Sequence, residues 1–386
     1  MNIENLRKEH EIVDLFCTMA EIPSPSLKEE KLAKWICKYC ELNGIECSPD
    51  AYGNLYIRIT AADCSKQPLL LSAHMDVIGD ESPVNVYLDG DLIRAKGRTL
   101  GADDKAGAAQ ALLLAKELTQ SKLLHGGLEV VLTRDEESGM SGIKNFDLTK
   151  ALSKYVLVLD SHSLGRLETA GASYTLAAID VKSFKGGHSG IDIADTEREN
   201  AVKLIADIVS SLPHGVYHSE NGEVVTSCNI GGIQGGDLKV TNVINTSAQA
   251  TYSIRSSSRK TEDDLKELMT AEITAFNKEY AGVAQARITF EEHLPPFEQA
   301  EDKYIPILFE TAAKKSGVSP VISTFHAGAE THIYANRTNS AGEKFTPYLL
   351  GTADIQNMHS AEENVDYKSM LKGFELLKAL FEAYNS

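Results

Sequence analysis

An α/β architecture is predicted for this chain: a mixed sheet covered by helices, with a smaller ferredoxin-like α+β domain inserted into it. Three observations carry the prediction. Apolar strand-like runs alternate with helical patterns over residues 1–174, the order changes to β-α-β-β-α-β over 175–293, and the first rhythm returns over 294–386. Strands that alternate with helices build a sheet covered on both faces, and such sheets bind ligands beyond the carboxyl ends of their strands. With 386 residues, 42% apolar and 24% charged, the chain can bury two cores and has an ordinary globular composition.

Two helices open the chain, "LRKEHEIVDLFCTMAEI" and "SLKEEKLAKWICKYCELNG", the second stopping at Gly44 as helices commonly do. The strands "NLYIRIT", "PLLLSAHMDV", "GLEVVLTRDEE" and "YVLVLDSHS" follow, with the helix "DDKAGAAQALLLAKELTQ" between the second and the third. The inserted domain reads as strand "YTLAAIDVKSF", helix "TERENAVKLIADIVSSL", strands "EVVTSCNIGGI" and "SAQATYSIRSS", helix "TEDDLKELMTAEITAFNKEYAG" and strand "ARITFEE". Helix "YIPILFETAAKKSG", the loop "FHAGAETH", strand "KFTPYLLGT" and the helix "YKSMLKGFELLKALFEAYN" complete the larger domain.

Acidic residues number 55 against 38 basic ones, a net charge of -17. Phosphates would be repelled over most of such a surface, which argues against nucleic acid and anionic membranes and in favour of small molecules or cations. The stretch "MNIENLRKEHEIVDLF" has neither the apolar core nor the cleavage site of a secretory signal, and no apolar run approaches the roughly 18 residues of a membrane span, so the expected location is cytoplasmic. Cys17, Cys37, Cys40, Cys47, Cys64 and Cys228 show no disulfide rhythm and are expected as reduced thiols. Cys37 and Cys40 form a C-x-x-C, but inside a helical pattern and with no second pair to complete a zinc site, so they read as ordinary helix residues.

Polar groups gather where the apolar strands end. His74 and Asp76 follow "LLLSA", Glu136 and Glu137 follow "LEVVLTRD", Asp160 follows "YVLVL", His359 comes shortly after "YLLG", and Asp103 and Asp104 stand at a helix start. Taken singly, each has an ordinary explanation, such as a capped turn, a helix N-cap or a solvated corner. Together at one sheet edge they supply the imidazole nitrogens and carboxylate oxygens that zinc requires.

The motifs "HMD", "GADDKAG", "DEESG", the aspartate of "VLVLD", "GGHSG" and "NMHSAEE", in this order and spread over nearly the whole chain, resemble those of the co-catalytic zinc exopeptidases, the family that includes peptidase T, aminoacyl-histidine dipeptidase, carboxypeptidase G and the aminoacylases. The resemblance implies two Zn2+ per chain, with Co2+ or Mn2+ as possible substitutes. Asp103 would bridge the ions, His74 and Asp160 would complete one, and Glu137 and His359 the other. It also implies a cis peptide between Asp103 and Asp104, and a role for Asp76 in fixing the His74 imidazole. Glu136, the spare carboxylate, is left as the general base. His188 in "GGHSG" looks like the group that holds the acyl oxygen as charge develops, with Asn242, Arg255 and Gly328 at substrate-binding positions. His326, Glu330 and His332 could be extra ligands, but the five-ligand set is already complete without them, and His10, His125, His162, His214, His218 and His293 read as surface residues.

The expected activity is removal of residues from the amino end of dipeptides or tripeptides by a homodimer joined through the inserted lid domain. An N-acyl-amino-acid deacylase with the same metals and a non-catalytic binding protein on the same fold are the alternatives. The intact donor set and Glu136 argue against the latter.

Overall fold

Every residue of the strand Leu69–His74 is buried, and so is every residue of Leu128–Thr133 and of Thr346–Gly351. Covered on both faces, such strands need continuous apolar runs rather than alternation, which is why they stand out in the sequence. The structure, a computed structural model, describes residues 2–386. These three strands and Tyr155–Ser161 run parallel at the centre of an eight-stranded sheet, in the order Leu128–Thr133, Leu69–His74, Tyr155–Ser161, Thr346–Gly351. Leu55–Ile59 and Glu46–Pro49 extend it antiparallel on one side, Arg166–Gly171 antiparallel on the other.

The helix Ala102–Gln120 packs against Leu69–His74 and Tyr155–Ser161. Its alanines let it lie close, and Gly107 is required there, since a Cβ would meet Leu159 Cβ at 2.7 Å. Asp366 starts the last helix, Tyr367–Tyr384, by accepting hydrogen bonds from the amides of Lys368 (2.7 Å) and Ser369 (3.1 Å). About two turns on, Gly373 faces the Thr352 carbonyl, to which the Gln110 side-chain amide donates (2.9 Å). A Cβ on Gly373 would lie 1.6 Å from that oxygen. Gly373→Ala is therefore expected to destabilise the larger domain by about 3 kcal/mol, outweighing the ~1 kcal/mol by which alanine favours a helix over glycine. Calorimetry checks this, and an unchanged melting temperature would contradict the packing.

The chain forms two compact units, one holding the chain up to Thr169 with Ala300–Ser323 and Ala329–Ser386, the other Ala170–Gln299 with Thr324–Gly328. The second unit carries an antiparallel sheet in the order Gly215–Glu220, Glu223–Gly235, Ser247–Ser256, Tyr174–Ser183, Ala284–Leu294. Burial alternates along Tyr174–Ser183 because only one face packs on the helices Ala201–Ser211 and Arg259–Glu279.

Some expectations change. The first helix is two, Ile3–Glu9 and Glu11–Ala20, parted by an extended His10 (φ -133°). The break brings Arg7 over the second helix, where its guanidinium meets Asp14 (2.8 Å), Thr18 (3.0 Å) and Glu21 (3.0 Å). Gly215–Glu220 adds a fifth strand to the expected four, through a hairpin whose Asn221 and Gly222 both have positive φ. No helix among the described residues is long and apolar enough to cross a membrane.

Candidate metal centre

The parallel strands present their carboxyl ends side by side, and the candidate residues leave from there. His74 ends one strand, Glu136 and Glu137 follow the next by three and four residues, and Asp160 lies near the end of a third. His359 stands eight residues beyond Gly351 at φ +60°, and Asp103 stands with Asp104 in the non-helical entry to Ala102–Gln120, ahead of its regular turns. The Asp103–Asp104 peptide is cis.

Asp103 is shared. Its Oδ1 accepts from His74 Nε2 at 3.2 Å and its Oδ2 from His359 Nε2 at 3.2 Å. His74 Nε2 is also 3.7 Å from Asp160 Oδ1, and His359 Nε2 is 3.0 Å from Glu137 Oε1. Two groups of donor atoms result, His74 with Asp103 and Asp160, and Asp103 with Glu137 and His359, the atoms of each lying within 4.8 Å of one another. Among the described residues these are the groups that could hold a metal ion.

The donors fit cations. Glu137 Oε1 is buried without a hydrogen-bond partner, although an imidazole nitrogen is 3.0 Å away. Burial first, then the neighbouring Asp103, pushes the Glu137 carboxyl up to about 7, and the same two causes hold Asp160 well above the usual carboxylate range. Burial opposes charge on His74, but Asp103, Asp160 and Asp76 outweigh it and raise its pKa. Crowded carboxyl groups with unpaired oxygens, mixed with imidazoles, are the nitrogen and oxygen set that divalent zinc accepts.

Around this cluster the backbone is tied by side chains. His74 Nδ1 donates to the main-chain oxygen of Asp76 (2.9 Å), and the Asp76 carboxylate lies 3.4 Å from the same nitrogen. That carboxylate also accepts from the amides of Glu136 (2.9 Å) and Glu137 (3.1 Å) and from Ser26 Oγ (2.7 Å), so it orients the two glutamates as well as the imidazole. Ser24 Oγ donates to the Met75 carbonyl (2.7 Å), and buried Glu29 accepts from the Asp135 amide (3.0 Å) while pairing with Arg134 (2.8 Å). Glu136 itself keeps its carboxyl group free of hydrogen bonds and ion pairs among the described residues. Burial, with Asp160, Glu330 and Glu137 adding to it against His74, raises it well above the usual range. Asp104 differs from its neighbour, since its Oδ1 accepts from the Gly107 amide (3.0 Å) and caps the helix.

The second unit holds the other candidates. His188 is exposed, its Nδ1 accepting from the amides of Gly190 (3.1 Å) and Ile191 (3.3 Å); the Asn242 carbonyl accepts from the next amide, Ser189 (3.0 Å). Arg255 lies over the Tyr174 ring at 4.5 Å with no ion pair among the described residues. Gly328 closes the segment Thr324–Gly328, in which His326 Nε2 shares a 2.6 Å hydrogen bond with Ser227 Oγ. Glu330, in the first unit, accepts from Ser72 Oγ (3.0 Å) and is not among the grouped donors, nor is His332, whose Nδ1 bonds the Ala329 carbonyl (2.9 Å). His125, expected at the surface, is buried: the Gly127 amide donates to its Nδ1 (3.1 Å) and its ring packs on Phe381, which an imidazole allows when neutral.

Nitrogen and oxygen donors converging in two groups at one sheet edge, together with the family its sequence matches, make this chain a metallopeptidase. Residues 70–383 match Peptidase family M20/M25/M40, and the chain belongs to that family. It is 31% identical over 210 residues to the cytosol non-specific dipeptidase of Escherichia coli (strain K12), an alignment that takes in 47% of this chain and 43% of that protein. The crystal structure of aminopeptidase PepT from Bacillus cereus superposes with a TM-score of 0.86 at 22% identity, covering 97% of this chain and 98% of that one. Aminoacylhistidine dipeptidase from Vibrio alginolyticus gives a TM-score of 0.75 at 20% identity, with 96% of each chain covered.

Proposed function

We propose that this chain is a zinc-dependent exopeptidase that hydrolyses dipeptides or tripeptides from the amino end. The observation that carries the reading is Asp103, whose two carboxylate oxygens face two separate donor groups beside the uncommitted Glu136. In this reading His74 and Asp160 would hold one ion, Glu137 and His359 the other, and Asp103 would serve both. Ions held there would supply the Lewis acidity that amide hydrolysis by water near neutral pH requires.

The protein groups do the rest. Glu136 takes the proton of the attacking water and returns it to the leaving amine, a task open to a carboxyl group free of hydrogen bonds and ion pairs among the described residues. Asp76 holds Glu136 and Glu137 through their amides and so keeps base and ligand apart. His188 donates to the acyl oxygen as negative charge develops, Arg255 pairs with the substrate carboxylate, and Asn242 and Gly328 complete the binding positions. Homodimerisation through the second unit and a cytoplasmic location belong to the same reading.

The test is to incubate the zinc-loaded protein with a mixed library of dipeptides, tripeptides, amino-blocked peptides and acylated amino acids, and to identify the products by mass. Loss of amino-terminal residues from short free peptides is expected. Cleavage confined to acylated amino acids would replace this reading with the deacylase. Sedimentation of the same sample tests the dimer, which a monomer would remove.

A further inference from the structure

We infer that Glu363 is a positioning residue for the metal centre, fixing Asp103 and His359 in register with each other; this rests on the reading of the centre given above. Glu363 is 1% exposed, and its carboxylate receives four donors, two from the loop that precedes Ala102–Gln120 and two from the first residues of that element. Oε2 accepts from Thr99 Oγ and from the Gly101 amide (2.8 Å), and Oε1 from the amides of Ala102 (2.8 Å) and Asp103 (3.2 Å). The last of these is the backbone of the shared aspartate itself.

Glu363 also ends the loop that carries His359. Its amide bonds back to the Ser360 carbonyl (3.2 Å), and the strand Asn364–Asp366 pairs with Leu92–Ala95 directly after it. Asn357 and His359 both hold positive φ in that loop, a shape uncommon outside glycine although asparagine and histidine are among the residues that take it most often. On the other side, Gly101 at φ +78° passes so near Val77 that a Cβ would lie 2.7 Å from Cγ1. One buried carboxylate thus connects two loops about 260 residues apart in sequence, each bearing a candidate ligand.

The chemistry requires a carboxylate. Being acceptor-only, it can satisfy four donors, whereas the amide of glutamine would turn an NH2 group toward two of them, and aspartate is one methylene too short to keep both pairs. Simple capping of the helix would account for the amides but not for the tie to His359. Glu129 offers a matched comparison in the same unit: it is 2% exposed and also takes four donors, from Tyr56, the amides of Leu152 and Ser153, and Ser153 Oγ, but it touches neither loop.

The experiment uses Co2+ as the probe, with affinity from equilibrium dialysis and ligand geometry from the visible absorption of the loaded protein. Glu363→Gln is expected to bind Co2+ about 10–100-fold more weakly and to show an altered spectrum at saturation. Glu129→Gln should lose thermal stability while keeping wild-type affinity and spectrum. Thr99→Val, which removes one donor and little volume, should shift affinity severalfold in the same direction, and decides the matter if Glu363→Gln does not fold. Wild-type affinity and spectrum in the Glu363→Gln and Thr99→Val variants, or equal changes in Glu129→Gln, would overturn the positioning role. A wild-type chain that takes up no Co2+ would instead overturn the metal centre on which the inference rests.

Discussion

Glu136→Gln is expected to retain both metal ions and lose about 10²–10⁴-fold in kcat, the range that general acid–base catalysis supplies. The substitution keeps shape and backbone bonds and removes the proton acceptor, and the Glu136 carboxyl group has no hydrogen bond or ion pair among the described residues whose loss could disturb the fold. Its amide, which holds it to Asp76, is unaffected. Metal content by mass spectrometry and steady-state kinetics on a short peptide check both halves. A variant that loses metal, or one that stays active, would reverse the roles given to Glu136 and its neighbour Glu137.

Asp103→Asn should act on the ions directly. An asparagine offers one carbonyl oxygen and an amide nitrogen with no available lone pair, so it cannot serve two donor groups at once. Occupancy is expected to fall from two ions to one or none, and kcat/KM to drop by more than the roughly 10–100-fold caused by losing a partner outside the coordination sphere. Asp104→Asn is the control, because an asparagine oxygen can still accept from the Gly107 amide, and the ions should remain. Equal metal content in the Asp103→Asn and wild-type proteins would remove Asp103 from the centre.

The parallel strands were legible because residues buried on both faces leave unbroken runs such as "LLLSAH" and "LEVVLT", and their ends marked where polar groups converge. Two hairpins were passed over although turn signals were present, "ENGE" at Asn221 and Gly222 and "LDGD" at Gly90, where left-handed backbone is required. Periodicity reports burial, and the strands beside both turns are largely half-buried or exposed. The break at His10 left no mark, since both helices keep apolar spacing across it.

Within the centre, residue type at strand ends showed which side chains to consider. What holds them was out of reach. The bonds from Ser26 to Asp76 and from the Ala102 amide to Glu363 connect positions 50 and 261 residues apart, and nothing local in "SPSLKEE" or "HSAEEN" announces a distant partner. His125 was misplaced for a related reason, because a lone imidazole in a loop carries no sign of the ring it packs against.

The segment from Ser24 to Glu29 lies ahead of residue 70, where the match to the peptidase family begins. Yet it props up Met75, Asp76 and Asp135 from outside the sheet. A chain trimmed to the matched residues would keep every candidate ligand and lose the scaffolding under two of the loops that aim them. Protease nicking or amino-terminal shortening near these serines would then register as failing catalysis in a protein that still carries its full set of donors.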